Sequence, residues 1–219
     1  KQGETKSAAV TITNNAESSI TIDKIYANSI SDLVRISTQT FSLSAGESKE
    51  ISIDFLARDD TPADSYIGKI IIESGNTRKE IPVVIDVKAA MPLFDVLVDI
   101  DDPVIQPGQD VTALIELFNL GDLTNFDVLL QYSIQDFEGR TITSATESLA
   151  IERRIAVFRK LSTMEDLPEG KYVFYVKANY GDVQATGSRV FDVSLVDYSP
   201  LFGSGSFWFY LLIIFIVLG

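Results

Sequence analysis

The stretch KYVFYVKANYGDVQATGSRVFDV, residues 171–193, decides the fold class of this chain. Every second residue from Tyr172 to Ala178 is apolar, and a period of two places these side chains on one face of a β-strand. Gly181-Asp182 then fits a tight two-residue turn between paired strands. The stretch therefore predicts an antiparallel hairpin, with strands at Lys171–Tyr180 and Val183–Val193.

Comparable runs of Val, Ile, Thr, Tyr and Phe continue through the chain, and Gly, Pro, Asn and Asp separate them about every 8–12 residues. In the second half this pattern predicts five further strands, at Phe94–Ile100, Val111–Phe118, Asn125–Gln135, Arg140–Ala150 and Arg153–Leu161. In the first half it predicts six strands, at Ala8–Thr13, Ser19–Ala27, Leu33–Ser37, Lys49–Leu56, Tyr66–Glu73 and Lys79–Val87.

Six or seven short strands per roughly 100 residues predict a β-sandwich of the immunoglobulin-like type. The expected fold class is therefore all-β, with two tandem immunoglobulin-like β-sandwiches at residues 1–89 and 90–197. The boundary Ala89-Ala90-Met91-Pro92 contains neither Gly nor Ser, so we expect a stiff joint there.

The composition removes several kinds of chemistry. The chain has no Cys and no His, which excludes disulfides, thiolate nucleophiles, Cys/His zinc sites and imidazole acid–base catalysis. Its net charge is −13, and residues 90–199 hold most of that excess of acidic side chains. Because a phosphate backbone would be repelled, we expect no nucleic-acid partner.

The C-terminal stretch carries no charge after Asp197. Aromatic residues that favour the headgroup level of a bilayer lead there into an aliphatic run. Residues 207–219 therefore predict the start of a transmembrane helix, after a juxtamembrane linker at 198–206. The run is shorter than the about 20 apolar residues that span a bilayer, so we expect the helix to continue beyond residue 219. The predicted membrane-anchor residues are Phe207, Trp208, Phe209, Tyr210, Leu211, Leu212, Ile213 and Ile214.

The predicted helix implies a single-pass cell-membrane protein whose β-sandwiches are extracytoplasmic, with the lipid bilayer as one partner and a protein or cell-envelope component as another. The alternative interpretation is that the C-terminal run is a strand packed in a core.

Turn motifs connect the second half with a known family. They are Gln106-Pro107-Gly108-Gln109, Phe118-Asn119-Leu120-Gly121 and Leu167-Pro168-Glu169-Gly170-Lys171-Tyr172. These residues resemble the CARDB domain, an adhesion-related module of bacterial and archaeal surface proteins. The first half resembles related modules through Ile12-Thr13-Asn14-Asn15, Leu43–Ser48 and Ala63–Gly68. We interpret the halves as divergent tandem copies, the first without its opening strand.

The resemblance implies a surface or S-layer-associated protein, often archaeal, with sandwich repeats and a C-terminal membrane helix. The family has no shared catalytic residues to transfer, and the motifs themselves specify fold rather than activity. We therefore expect no enzyme, although a carboxylate pair of the glycosidase kind stays open on residue types alone.

Cation binding is the most specific chemistry that the residues suggest. If the strands of the second half run alternately up and down, three acidic loops fall at one end, and Ca²⁺ prefers such oxygen ligands. The candidate Ca²⁺ ligands are Asp101, Asp102, Asp136, Glu138, Glu165 and Asp166. The alternative is that these are solvated turns, because turns favour Asp. A weaker candidate is Asp59-Asp60 with Asp64.

Two other clusters admit a binding or a structural role. Arg153-Arg154 with Arg159-Lys160 fits contact with an anionic glycan or lipid headgroup, or an edge strand charged against aggregation. Five tyrosines fit a sugar-stacking platform or the core. They are Tyr26, Tyr132, Tyr172, Tyr175 and Tyr180.

The sequence thus predicts a non-catalytic, membrane-anchored surface module with a structural, adhesion or binding role. One alternative is an accessory ectodomain of a membrane transport, protease or export complex. Another is a carbohydrate-binding module.

Overall fold

The computed structural model describes residues 1–121 and 126–195, together with the backbone of residues 214–218. These residues form β-strands and a single three-residue 3-10 turn, so the expected all-β fold class is confirmed for them. They divide into two compact units, one built from residues 1–62, 66–87 and 214–218, the other from residues 63–65, 88–121 and 126–195.

The second unit is a sandwich of two sheets. One sheet has the strand order β10-β16-β15-β12-β13 and the other β14-β11-β9. Its strands are β9 (Phe94–Ile100), β10 (Val104–Ile105), β11 (Asp110–Asn119), β12 (Phe126–Gln135), β13 (Thr141–Ile151), β14 (Arg154–Ser162), β15 (Gly170–Tyr180) and β16 (Val183–Val193).

The predicted hairpin at residues 171–193 is confirmed as β15 and β16. Their antiparallel register runs from Gly170 opposite Val193 to Tyr180 opposite Val183. The inward row of β15, from Tyr172 to Ala178, is buried and packs with residues of both sheets in one hydrophobic core. The period of two in the sequence is therefore the period of burial.

The first unit is a smaller sandwich. Its two larger sheets have the orders β1-β6-β4 and β17-β8-β7-β3, and β2 pairs with β5. A separate core fills it, with Ile25, Ile53, Phe55 and Ile70 fully buried. The strands are β1 (Thr5–Thr13), β2 (Ile20–Ile22), β3 (Lys24–Asn28), β4 (Val34–Ile36), β5 (Phe41–Leu43), β6 (Ser48–Leu56), β7 (Asp64–Ser74), β8 (Thr77–Val87) and β17 (Ile214–Leu218).

The strand predicted at Ser19–Ala27 is wrong as a single element. It divides at Asp23 into β2 and β3, which pair with different strands, β5 and β7. The short strands β5 and β10 escape the pattern because two or three residues cannot show a periodicity. Their backbone pairing to distant strands fixes them instead.

At the C-terminus, Ile214–Leu218 is a strand that pairs in parallel with β8, whereas the sequence predicts helix at these residues. Ile, Phe and Val have high β-propensity, so the run suits a sheet edge as well as hydrocarbon. The rest of the predicted anchor, residues 207–213, lies outside the described residues, as does the whole predicted linker at 198–206. Within the described part of the chain, no helix has the length and apolar character needed to cross a membrane.

Each unit contains the same tyrosine corner. The Tyr172 hydroxyl donates to the Pro168 carbonyl at 2.9 Å, and the Tyr66 hydroxyl donates to the Pro62 carbonyl at 2.9 Å. Each tyrosine lies near the start of the penultimate long strand, β15 or β7. This bond back to the preceding loop is a hallmark of immunoglobulin-like sandwiches.

A second repeated contact closes the end of β1 and of β11. The Asn14 side-chain oxygen accepts from Ala16 N at 3.0 Å, and the Asn119 side-chain oxygen accepts from Gly121 N at 3.1 Å. Both asparagines also donate through the side-chain amide to backbone carbonyls of a distant turn. The two corners and the two asparagine clamps support the interpretation of the halves as tandem copies.

The sheets of the second unit approach each other closely at Gly187. A Cβ atom there would lie 2.8 Å from the Val96 carbonyl oxygen, so only glycine fits without a shift of backbone. The contact sets the spacing between β16 and β9.

The tyrosine corners predict unequal costs for removing one hydroxyl. Tyr172 is buried, so Tyr172→Phe leaves a carbonyl without its partner and should lower the free energy of unfolding by about 1 kcal/mol. The hydrogen bond of Tyr66 is exposed, so Tyr66→Phe should cost less. Urea unfolding followed by far-ultraviolet circular dichroism measures both.

Tyr180→Phe is the control, because the Tyr180 ring packs edge-on against Phe126 and keeps that contact without its hydroxyl. Its change should stay within about 0.5 kcal/mol. Equal stability of Tyr172→Phe and the unmodified chain would contradict a stabilising corner.

Candidate functional site

The acidic loops of the second unit lie at one end of the sandwich. Gly108 N donates to the Met164 carbonyl at 2.9 Å and Thr163 N to the Gln109 carbonyl at 3.2 Å, which joins the loop before β11 to the loop before β15. Burial raises the pKa of Tyr172, at the start of β15, and the charge of Asp136 in the β12–β13 turn raises it further. The up-and-down path of the strands therefore places the three loops at one end of the sandwich, and hydrogen bonds join two of them.

The six predicted cation ligands differ in what they do at this end. Asp101 and Asp102 are exposed in the first loop, Glu165 and Asp166 in the third, and Glu138 in the turn between β12 and β13. Asp136 is buried. Among the described residues, which include all six, no three His, Cys, Asp or Glu side chains are placed to hold a metal ion together.

Asp136 organises the β12–β13 turn. Its Oδ1 accepts from Glu138 N and from Arg140 N, both at 2.9 Å, and its Oδ2 accepts from Arg140 Nε at 2.6 Å. Burial acts to raise the pKa of this carboxyl, but the Arg140 and Glu138 hydrogen bonds and the Arg140 charge together outweigh it, so the pKa is below its ordinary value. The carboxylate is already fully used by its own turn.

Asp59 and Asp60 of the weaker acidic candidate lie in the first unit, whereas Asp64 belongs to residues 63–65, which group with the second. Asp60 lines a cavity of about 460 Å³ between the 3-10 turn and the loop that follows β6, and Arg58 and Tyr66 also line it. Asp64 Oδ1 accepts from Ser65 N at 2.7 Å. Sequence reasoning missed the cavity because its walls come from segments distant along the chain. Ser29, on its rim, has a positive φ of 66° that a non-glycine residue rarely adopts.

Arg154, Arg159 and Lys160 of the basic cluster lie on β14, at the edge of its sheet, as the structural interpretation predicts. Arg153 immediately precedes this strand. Arg154 pairs with Glu116 and lies 5.2 Å from the centre of the Phe118 ring. Lys160 pairs with Asp110. Both pairs join β14 to β11 on the outer face of the sheet. These charges therefore hold the edge strand to its neighbour.

Arg159 points the other way and bridges the two sheets. Its guanidinium binds both carboxylate oxygens of Glu147 on β13, with Nη2 2.7 Å from Oε2. The hydrogen bonds to Glu147 raise the pKa of Arg159 further above its already high value. Since β13 and β14 belong to opposite sheets, this pair closes the open side of the sandwich.

The five tyrosines do not form a platform. Tyr132 stacks on Phe174 with ring centres 6.3 Å apart, and Tyr172 stacks on Phe191 at 6.0 Å, all within the core. Tyr26 lies in the other unit, where its hydroxyl donates to Glu73 Oε1 at 3.0 Å. The hydrogen bond to Glu73 raises the pKa of Tyr26. Tyr175 is half-buried, and Tyr180 packs edge-on against Phe126.

The outer face of the β14-β11-β9 sheet carries apolar side chains that the sequence analysis did not single out. We call them the outer apolar row: Leu97, Leu114, Ala156 and Phe158. Phe158 is 60% exposed and lies opposite Leu114, and Leu97 is 49% exposed. The signal was present in the alternation of β14, where Phe158 falls between Arg154 and Lys160 on one face. An exposed aromatic there costs solubility without adding to the core.

Comparison with known proteins concerns the fold. No sequence family matches the chain, and no curated protein matches it. Among solved structures, the CARDB domain of a Pyrococcus furiosus protein, solved in complex with di-metal ions, is 19% identical, with a TM-score of 0.33 over 49% of this chain and 90% of that one. A Porphyromonas gingivalis protein of unknown function is 12% identical, with a TM-score of 0.43 over 86% and 94%.

A third similar structure is the sporulation control protein Spo0M from Bacillus subtilis, with 17% identity and a TM-score of 0.38 over 47% of this chain. The chain spans 50% of the length of that protein. All three TM-scores are below 0.5, and the roles of the three proteins remain their own.

The contacts of Asp136 predict a pH-dependent contribution to stability. A carboxyl whose pKa falls on folding stabilises the fold above its unfolded pKa, about 3.9, and loses that contribution as pH drops through the folded pKa. Asp136→Asn should therefore cost about 1 kcal/mol at pH 7, and the difference from the unmodified chain should shrink below about pH 4. Urea unfolding at pH 7, 5, 4 and 3 measures it.

Glu138→Gln is the matched control, because it removes the same charge from an exposed position in the same turn. Its stability should follow that of the unmodified chain at every pH. A cost for Asp136→Asn that is constant from pH 7 to pH 3 would show that the carboxylate charge is not what stabilises the turn.

Proposed function

We propose that this protein is a non-catalytic module of a cell envelope, in which tandem β-sandwiches extend from a membrane and present loops and edge strands to a partner. The observation that carries the proposal is the repetition of one scaffold. Both units use the same tyrosine corner and the same asparagine clamp. Repeated sandwiches of this kind suit a structural spacer or a binding module.

The contacts of several polar residues support this proposal, because these residues stabilise the fold. Asp136 holds a turn, Arg159 and Glu147 join two sheets, and Arg154 pairs across neighbouring strands. These side chains stabilise the scaffold that carries the exposed loops. The partner would then meet surface shape and exposed charge rather than a recessed reaction centre.

The membrane part of the proposal is an extracytoplasmic, single-pass anchor that begins at residues 207–214. The full chain, expressed in a host that exports it, should stay with membranes after an alkaline carbonate wash. A chain ending at Leu195 should be released into the wash, because it lacks the uncharged stretch. Release of both chains would contradict the anchor.

The partner is sought with the full-length tagged protein, solubilised from its native membrane in mild detergent and analysed by mass spectrometry. Recovery of the protein alone, or with wall or surface-layer components, is the outcome that the structural module predicts. A stoichiometric membrane protein in the eluate would replace it with the second candidate, an accessory ectodomain of a transport, protease or export complex.

The outer apolar row specifically favours this second candidate. Exposed apolar side chains on a sheet face mark contact with another protein, and here Arg154 and Lys160 flank Phe158. If a membrane protein co-purifies, Phe158→Asp should reduce its recovery at least about tenfold, since a charge buried at an apolar contact costs several kcal/mol. The same pull-down, quantified by mass spectrometry, measures the loss.

Met164→Asp is the control for that variant. Met164 is exposed to a similar degree, at 51%, but lies in the loop before β15. Its recovery of the partner should match that of the unmodified chain. Equal losses for both variants would place the contact elsewhere.

A further inference from the structure

The last long strand of each unit has a parallel neighbour at its outer edge. In the second unit this neighbour is β10, with Val104 opposite Asp192 and Ile105 opposite Val193. Asp192 N donates to the Pro103 carbonyl at 2.8 Å, and Ser194 N donates to the Ile105 carbonyl at 2.9 Å. The β10 strand thus satisfies the edge amides of β16.

In the first unit the neighbour is β17, and it pairs with β8 at the equivalent place. Both β8 and β16 end in Asp-Val, and Asp86 follows the turn glycine Gly75 at the same distance along the chain as Asp192 follows Gly181. Val217 lies opposite Asp86, and Leu218 lies opposite Val87. The β17 strand therefore pairs in the first unit in the register that β10 has in the second.

The burial of β8 is that of an interior strand. Val83, Ile85 and Val87 point into the core, and on the other face Val84 and Asp86 are also buried. An edge strand with this apolar character would present its free backbone N–H and C=O groups as a template for another strand. A parallel strand at this edge covers the apolar side chains of β8 and pairs with its backbone N–H and C=O groups.

We propose that the outer edge of β8 is a docking site for an extended apolar strand, and that the chain's own segment Ile214–Leu218 is its occupant. Five consecutive apolar residues, three of them Ile or Val, fit a strand flanked by a sheet. Register and sequence together identify the occupant, since the docked segment takes the place that β10 takes in its own sandwich.

The argument for this docking does not rest on the proposed membrane role, but the two roles would use the same residues and exclude each other. A transmembrane helix satisfies its backbone hydrogen bonds internally and so cannot pair with β8. Insertion of the segment into a bilayer therefore leaves the edge of β8 open. In the presence of a bilayer the segment would insert as a helix, and in its absence it would pair with β8.

Hydrogen exchange tests the docking in lipid-free buffer, with the full chain at low micromolar concentration. In Phe215→Pro/Ile216→Pro, adjacent prolines remove the amide that pairs with β8 whichever of the two it is. Amides of residues 80–88 should exchange at least about tenfold faster than in the unmodified chain. The control Phe215→Leu/Ile216→Leu keeps the apolar character and both amides, and should leave the rate unchanged.

The segment at residues 183–193 is an internal reference, since its pairing with β15, and with β10 at Asp192 and Val193, is the same in every variant. Unchanged exchange of residues 80–88 in the proline variant would overturn the proposal. If circular dichroism shows that this variant has lost its fold, a cross-link decides instead. The chain has no Cys, so Asp86→Cys/Val217→Cys supplies a unique thiol pair, and Val104→Cys/Asp192→Cys is the matching pair of the second unit.

Under mild oxidation or with a short thiol cross-linker, the two pairs should react to similar extents. Reaction of the second-unit pair alone would overturn the docking. The carbonate wash described above distinguishes this from failure of the anchor. If the amides of β8 are protected but the chain is washed from membranes, the docking stands and the anchor is contradicted. If the chain stays with membranes but the amides of β8 are not protected, the anchor stands and the docking is overturned.

Discussion

The burial of alternate residues along the central strands is the constraint on which the structure depends. In β15, Tyr172, Phe174, Val176 and Ala178 must all face the opposite sheet, and a shift of one residue in register would turn them to solvent. The hairpin to β16 and the pairing with β12 fix that register from both sides. This register determines where the loops and the tyrosine corner lie. It also determines which face of β14 carries Arg159.

This constraint also explains what the sequence could predict. The long strands β11 to β16 show a period of two over nine or more residues, so their positions were readable to within a few residues. The division of β2 from β3 at Asp23 was not, because it depends on which distant strand each half pairs with. The place of β17 beside β8 is of the same kind. The apolar composition of β17 suits both a membrane helix and a strand in a sheet. Only the structure shows that the edge of β8 is placed to pair with it.

The candidate sites divide in the same way. The gathering of acidic loops at one end followed from strand direction alone, and the structure brings the loops before β11 and β15 into contact. The sequence could not predict that the Asp136 carboxylate binds the backbone amides of its own turn. In a sequence, an aspartate in a turn looks the same whether it binds a backbone amide or an ion. The cavity beside Asp60 and the outer apolar row depend on segments that only the fold brings together.

The parallel pairing of β10 with β16 has a mechanical consequence. The chain enters the second sandwich at β9 and leaves it after β16, so tension along the chain reaches β10 once β9 has separated from β11, and it then pulls β10 and β16 in opposite directions. Because the strands are parallel, the bonds from Asp192 N to Pro103 O and from Ser194 N to Ile105 O are loaded together in shear and cannot open one at a time. The two-residue strand β10 thereby adds a contact, loaded in shear, that tension must break before β16 can be pulled from its sheet.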